Sequence, residues 1–254
     1  EIYAAGEGLD SRLQRREDEH YPAATDENGE KVACNADATI PAMFPDRCVG
    51  PAKILPIINE AFNQGIDGTS PEVNAAKIDA ALLWFLYVST HKEAKTCTNT
   101  AKDCDSSYAY YTGGIKRSGG IGLAGVTLKH APHAHDRVWD GILAVRCWRD
   151  LDNADAATDL ELRDRALAQM DEALLYGLSR IISARVVNMQ RHEGVQQEAD
   201  WAWLKIMIPV LDRSAQASDM ALAKTLSDEI AKASPADMNA EAVLGALDGL
   251  FPCP

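Results

Sequence analysis

The sequence predicts an all-α fold, a helical bundle of about seven or eight helices with a loop-rich, disulfide-stapled N-terminal region. Three observations carry that expectation. Leu160, Leu167, Leu174 and Ile181 recur every seven residues, with Met170 and Leu178 between them, as on the buried stripe of a long helix. Ser70-Pro71-Glu72 is a strong helix start: a small polar cap, proline where no N–H is needed, and an acid beside the positive end of the helix dipole. Strand signals are nearly absent, with no Asn-Gly or Asp-Gly hairpin between alternating apolar runs.

Taken in chain order, residues 1–50 read as a loop-rich segment packed on the bundle, and residues 51–254 as the bundle domain. Leu9 to Tyr21 is charged and reads as one helix, and residues 22–50 carry Pro22, Pro41, Pro45 and two cysteines. Gly50-Pro51 opens a short helix to Asn63, bent by Pro56. From Ser70 a helix runs to about Lys95. Its middle, Ala80 to Val88, is apolar on every face, so it is expected to be buried all round as the central helix. A buried strand over Leu82–Val88 is the alternative, disfavoured by the strong cap upstream. Residues 96–135 read as loop with short helical pieces, interrupted by Gly113, Gly114, Gly119, Gly120, Gly122 and Gly125. A helix is expected from near Asp136 to Leu151. A long one follows the capping pattern Thr158-x-x-Glu161 and reaches about His192. Gln196 to Arg213 forms another, bent by Pro209, and further helices start at Ser218-Asp219 and Ser234-Pro235.

Six cysteines, Cys34, Cys48, Cys97, Cys104, Cys147 and Cys253, include no Cys-x-x-Cys pair. An even number in loop-like sequence points to three disulfides and an oxidising compartment. The short loops favour Cys34–Cys48 and Cys97–Cys104, leaving Cys147–Cys253. The first residue is Glu1 and not Met, which suggests a leader already removed and, with the cysteines, a periplasmic, cell-surface or secreted location, with a lipid anchor upstream as one form of attachment. No apolar run approaches the roughly 20 residues that span a bilayer.

The formal net charge of −13 excludes nucleic acid as a natural partner, because such binding rests on Lys and Arg neutralising phosphates. It favours a cationic ligand such as a metal ion or a small metal complex. The densest set of potential ligands is His130-Ala-Pro-His133-Ala-His135-Asp136, three of the six histidines with a carboxylate. Imidazole and carboxylate together suit iron, zinc, copper or manganese. His91, His20 or Tyr111 would complete such a shell. A second set, Glu17-Asp18-Glu19-His20, has the Glu and His spacing of bundle di-metal sites but occurs once. His91 and Glu93, two residues apart on one helix, point away from each other and cannot share an ion; Asp103 and Asp105 are nearby acids for one of them. His192-Glu193, with Glu198 and Asp200, marks a turn between helices. P-loop, dinucleotide and Gly-x-Ser-x-Gly patterns do not occur.

The order of segments resembles imelysin-like proteins. A buried aromatic helix (Leu82–Val88) is followed by Asp105-Ser-Ser-Tyr-Ala-Tyr-Tyr-Thr-Gly-Gly114. Then come two amphipathic helices, the second ending in His192-Glu193 before Ala199-Asp-Trp-Ala-Trp203. The resemblance covers about residues 70–215. It implies a helical-bundle, exported or surface-anchored protein associated with iron uptake. The family's Gly-x-His-x-x-Glu motif does not occur, so its metal ligands have no counterparts here. The expectation is an exported metal-binding protein handling iron, with copper, zinc or haem as alternatives. Competing with it are a metal-dependent enzyme using the same histidines and a metal-free binding or scaffold lipoprotein.

Overall fold

The computed structural model describes residues 8–151 and 159–252. Among these residues the secondary structure is helical, apart from one isolated bridge between Thr25 and Lys31. The elements are α1 (Leu9–Gln14), α2 (Ile40–Met43), a π-helical turn (Gly50–Ile54) running into α3 (Leu55–Ile66), α4 (Pro71–Thr96), α5 (Lys102–Thr112), α6 (Gly122–His130), α7 (Pro132–Leu151), α8 (Leu160–Met189), α9 (Val195–Met207), α10 (Asp212–Ser218), α11 (Met220–Ile230) and α12 (Ala240–Leu250).

α4 is the central helix its composition requires. Ala80, Ala81, Leu83, Phe85, Tyr87 and Val88 are buried, and Leu82, Trp84 and Leu86 are partly buried against the same core. It packs on α3, α5, α8 and α9. Its start differs from expectation. Ser70 lies in the left-handed region (φ 42°) and its side chain caps nothing. The Asn74 N–H donates to the Ser70 carbonyl at 3.0 Å, and the Asn74 side chain donates to the Thr69 carbonyl at 2.7 Å, tying the first turn of α4 to the residues before it.

α7 and α8 run antiparallel, since Gly141 meets Met170 while, towards the other end, Ala134 meets Gly177. A Cβ on Gly141 would lie 2.7 Å from the Met170 Cβ and 2.9 Å from its Cα, so only glycine allows this approach. The heptad residues of α8 are buried from Leu167 to Ile181, and fully burying each such side chain contributes about 1.5–3 kcal/mol. The cap of α8 is Asp159, whose carboxylate accepts from the Leu162 N–H at 3.0 Å. Thr158, the expected cap, lies outside the described residues. Pro209 does interrupt the following helix: α9 gives way to a 3₁₀ turn, Ile208–Leu211, before α10.

α1 ends at Gln14, short of Tyr21, because the acids that follow wrap round a basic side chain and leave the helical path. Arg47 donates to Glu17 (2.5 Å) and Glu19 (2.6 Å), and to the carbonyls of Asp18 (3.2 Å) and Tyr21 (3.0 Å). Gly50 sits where a Cβ would be 2.1 Å from the Leu13 carbonyl oxygen, so the π turn can touch α1 only through glycine. Cys34–Cys48 staples this segment, and its sulfurs join Ala24 and Ile40 in a small core of their own. Cys97–Cys104 closes the turn between α4 and α5. Cys147 is exposed and unbonded among the described residues, and its expected partner Cys253 lies outside them. No helix of the described residues is long and apolar enough to cross a membrane.

Candidate metal centre

Three polar side chains from distant parts of the chain meet inside the bundle. His20 comes from the Arg47-wrapped turn, His91 from the C-terminal half of α4, and Asp171 from the middle of α8. One potential ligand atom from each lies within 4.8 Å of the others, and this is the one such group of histidine, cysteine and carboxylate side chains among the described residues.

Each is positioned by its own element. The His20 turn is fixed by Arg47, by the Lys95 ammonium donating to the Glu19 carbonyl (2.8 Å), and by the His20 backbone N–H donating to the Asp18 carboxylate (3.0 Å). The turn is drawn onto the bundle by Arg16, which donates to Glu93 at 2.9 Å and lies over the Phe85 and Tyr110 rings. His91 follows Tyr87 by one helical turn on α4, so both face the same way. Asp171 directly follows Met170, whose close contact with Gly141 fixes that stretch of α8.

The three side chains are in close contact. The His20 ring stacks on the His91 ring with centroids 3.8 Å apart. His20 Nδ1 is 2.6 Å from Asp18 Oδ1, leaving Nε2 to face Asp171 Oδ2 at 3.1 Å. That second approach has hydrogen-bond length but not hydrogen-bond alignment, so Nε2 is buried without a partner. His91 is 7% exposed, and its Nδ1 also has no hydrogen-bond partner. Tyr87 donates its hydroxyl to the other oxygen of Asp171 at 3.0 Å. His20 Nε2 is thus ion-paired with Asp171 without an aligned hydrogen bond, and His91 Nδ1 is buried with no hydrogen-bond partner.

The electrostatics follow from this packing. Burial alone would lower the basicity of His20, but the carboxylates of Asp171 and Asp18 outweigh it and raise the pKa to about 9. Burial and the adjacent His20 push His91 down to about 4, so this ring stays neutral. Burial opposes ionisation of Asp171, yet His20 brings it to about 2, and Asp18 is lowered for the same reason. Burial, with Asp171 nearby, holds Tyr87 well above the ordinary phenol value. Without a metal the cluster is an imidazolium between two carboxylates, stacked on a neutral imidazole.

The other sequence candidates, among them residues 130–136, are dispersed in this structure. His130 ends α6 and lines a separate crevice with Lys129, Arg185 and Asp79. His133 is exposed at the start of α7. His135 is buried with both nitrogens engaged, Nδ1 with the Tyr111 hydroxyl (3.1 Å) and Nε2 with the Arg117 carbonyl (2.7 Å). Asp136 is exposed and pairs with Arg117. Tyr111 therefore serves His135 and not the His20 cluster. His192 pairs with buried Asp200 at 2.6 Å, and Asp105 with Arg146. Glu93 turns to Arg16 while His91 turns to His20, the divergence expected for residues two apart on a helix. Sequence reasoning included His20 and His91, and Asp18 within the acidic set that holds His20, but not Asp171 or Tyr87. The available signal was Tyr87-x-x-x-His91, two polar groups on one face of α4 at the end of its apolar run.

Comparison with protein-family models, with curated proteins and with solved structures finds no match for this chain.

Proposed function

We propose that this chain is an exported transition-metal-binding protein whose ligands are His20, His91 and Asp171. The observation that carries the reading is the buried two-histidine, one-carboxylate set in which ring nitrogens of both histidines lack a hydrogen-bond partner. The surroundings support it. Metal-bound histidines commonly donate their second N–H to a carboxylate, and metal-bound carboxylates are themselves hydrogen-bonded. Asp18 on His20 Nδ1 and Tyr87 on Asp171 occupy those two roles.

Two imidazoles and a carboxylate suit iron(II), and also zinc, cobalt and manganese. Iron is the first ion to test, in keeping with a role in metal acquisition. Three protein ligands leave coordination positions for water or another molecule, as a metal-dependent catalyst would also need. Stacked rings cannot both direct in-plane lone pairs at one ion, so binding would tilt His20 and His91 apart, and the proton on His20 Nε2 would leave. Export is supported by two disulfides in the described residues, which persist in oxidising compartments.

A second reading rests on the 2.6 Å contact of His20 with Asp18: the cluster is a metal-free ion-pair clasp holding the N-terminal segment to the bundle. Metal analysis by plasma mass spectrometry, on protein purified without tag or chelator and then offered iron(II), cobalt(II) and zinc(II), separates the two. The metal reading expects about one equivalent, lost in His91→Ala. The clasp reading expects none in either protein.

A further inference from the structure

A cleft of about 310 Å³ opens beside the cluster, between the middle of α8, α10 and the end of α12. Asp171 forms part of its wall and Arg213 another part. The Arg213 guanidinium lies 3.4 Å from Asp171 Oδ2, the oxygen that also faces His20. Arg213 is about one-third exposed, so it spans the buried cluster and the open cleft. Leu175, Leu250 and Phe251 supply an apolar side and Ser214 a hydroxyl. Glu172 stands on the rim, exposed, where water screens its charge.

Charge balance decides what this cleft should hold. In the metal-loaded centre His20 and His91 are neutral ligands. The negative groups in contact are Asp18 and Asp171; the positive ones are a divalent ion and Arg213. The loaded centre therefore carries one excess positive charge, held on Arg213 where it meets the cleft, and an anion in the cleft would match it. A guanidinium directed into a half-apolar cleft recognises a carboxylate in the plane of its donors. The volume is at the small end for a ligand pocket.

We propose that this cleft binds a small carboxylate-bearing molecule with an apolar body, its carboxylate seated between Arg213 and a coordination position of the metal. The proposal rests on the metal reading above. The carboxylate would neutralise the loaded centre, while Leu175, Leu250 and Phe251 cover the rest of the molecule. Substrate, co-ligand and chelator all meet this description; the shared chemistry is the carboxylate beside an apolar group.

The test uses the cobalt(II)-loaded protein, with benzoate and its neutral counterpart benzamide as probes. Calorimetry and the cobalt visible spectrum are followed together. Benzoate is expected to bind at least 10-fold more tightly than benzamide, to alter the cobalt bands, and to bind at least 10-fold more weakly to the metal-free protein. Arg213→Gln is expected to weaken benzoate at least 10-fold while retaining one equivalent of cobalt. Ala168→Trp, which narrows the cleft from an exposed position on its wall, should do the same with Arg213 intact. Cobalt that binds without any benzoate preference, or bands that ignore benzoate, would overturn the cleft proposal and leave the metal reading standing. So would benzoate binding unaffected by both substitutions. A protein that takes up no cobalt would overturn the metal reading and this proposal with it.

Discussion

Two histidine groups in this molecule invert each other. Residues 130–136 put three histidines within six positions of sequence, and the fold scatters them over a crevice, a surface and a sealed hydrogen-bond pair. His20 and His91 are 71 positions apart, and the fold stacks their rings at 3.8 Å beside Asp171. The difference lies in backbone geometry. His133 and His135 are both on α7, where residues two apart point in different directions, so density along the chain becomes divergence in space. Three separate elements can converge on one point because each contributes one side chain from its buried face.

The comparison can be broken most directly by removing a ligand. His91→Ala is expected to lower metal affinity by more than about 100-fold, since it removes a direct ligand where even second-sphere changes cost 10–100-fold. Titration calorimetry with zinc(II) would measure it, and an unchanged affinity would dismantle the site. The paired change His133→Ala with His135→Ala should leave metal stoichiometry intact, and loss of metal in that variant would return the site to residues 130–136.

Next in size is the pH dependence of the metal-free protein. The pKa of His20 is raised to about 9 in the fold, so its stabilisation is complete below about 6.5 and is lost as pH rises through 9. The pKa of His91 is depressed to about 4, so stability falls as pH drops from about 6.5 towards 4. Asp171, lowered to about 2, adds a further loss as pH falls below about 4. Denaturant titrations across pH 3–10 should therefore show a maximum near pH 6.5, with the alkaline side declining by roughly 3 kcal/mol. A profile flat from 6.5 to 9.5 would contradict the imidazolium clasp. Asp18→Asn should then weaken metal binding by about 10–100-fold without abolishing it, because it loosens the orientation of His20.

The smallest effects sharpen the contrast from the other side. His135→Ala leaves the Tyr111 hydroxyl and the Arg117 carbonyl without their shared partner and is expected to cost about 1–3 kcal/mol in a thermal or denaturant melt. His133→Ala, at an exposed position, should fall within about 0.5 kcal/mol of the parent protein.

The fold was largely legible because helices announce themselves locally. The apolar run at Ala80–Val88, the heptad of α8, the break at Pro209 and the two short disulfide loops all correspond to observed elements. Starts and stops were less so: α4 begins at a left-handed Ser70 with no side-chain cap, and α1 stops ahead of the turn where Glu17 and Glu19 meet Arg47. The site was half legible. His91 drew attention beside Glu93 near the end of the central helix, and His20 as part of an acidic run. Asp171 stayed hidden because an acid beside Met170 on an amphipathic helix looks like one edge of the solvated face. Only the tertiary packing shows that this edge is covered.

The way the N-terminal segment is tied down has a kinetic consequence. Of the three proposed ligands, His20 alone sits outside the bundle helices, on a turn held by Arg47 next to the Cys34–Cys48 staple and by Arg16 against Glu93. Exchange of a bound ion would then need only that flap to lift, not the bundle to unfold. The residence time of a bound ion would then depend on a disulfide that touches none of its proposed ligands.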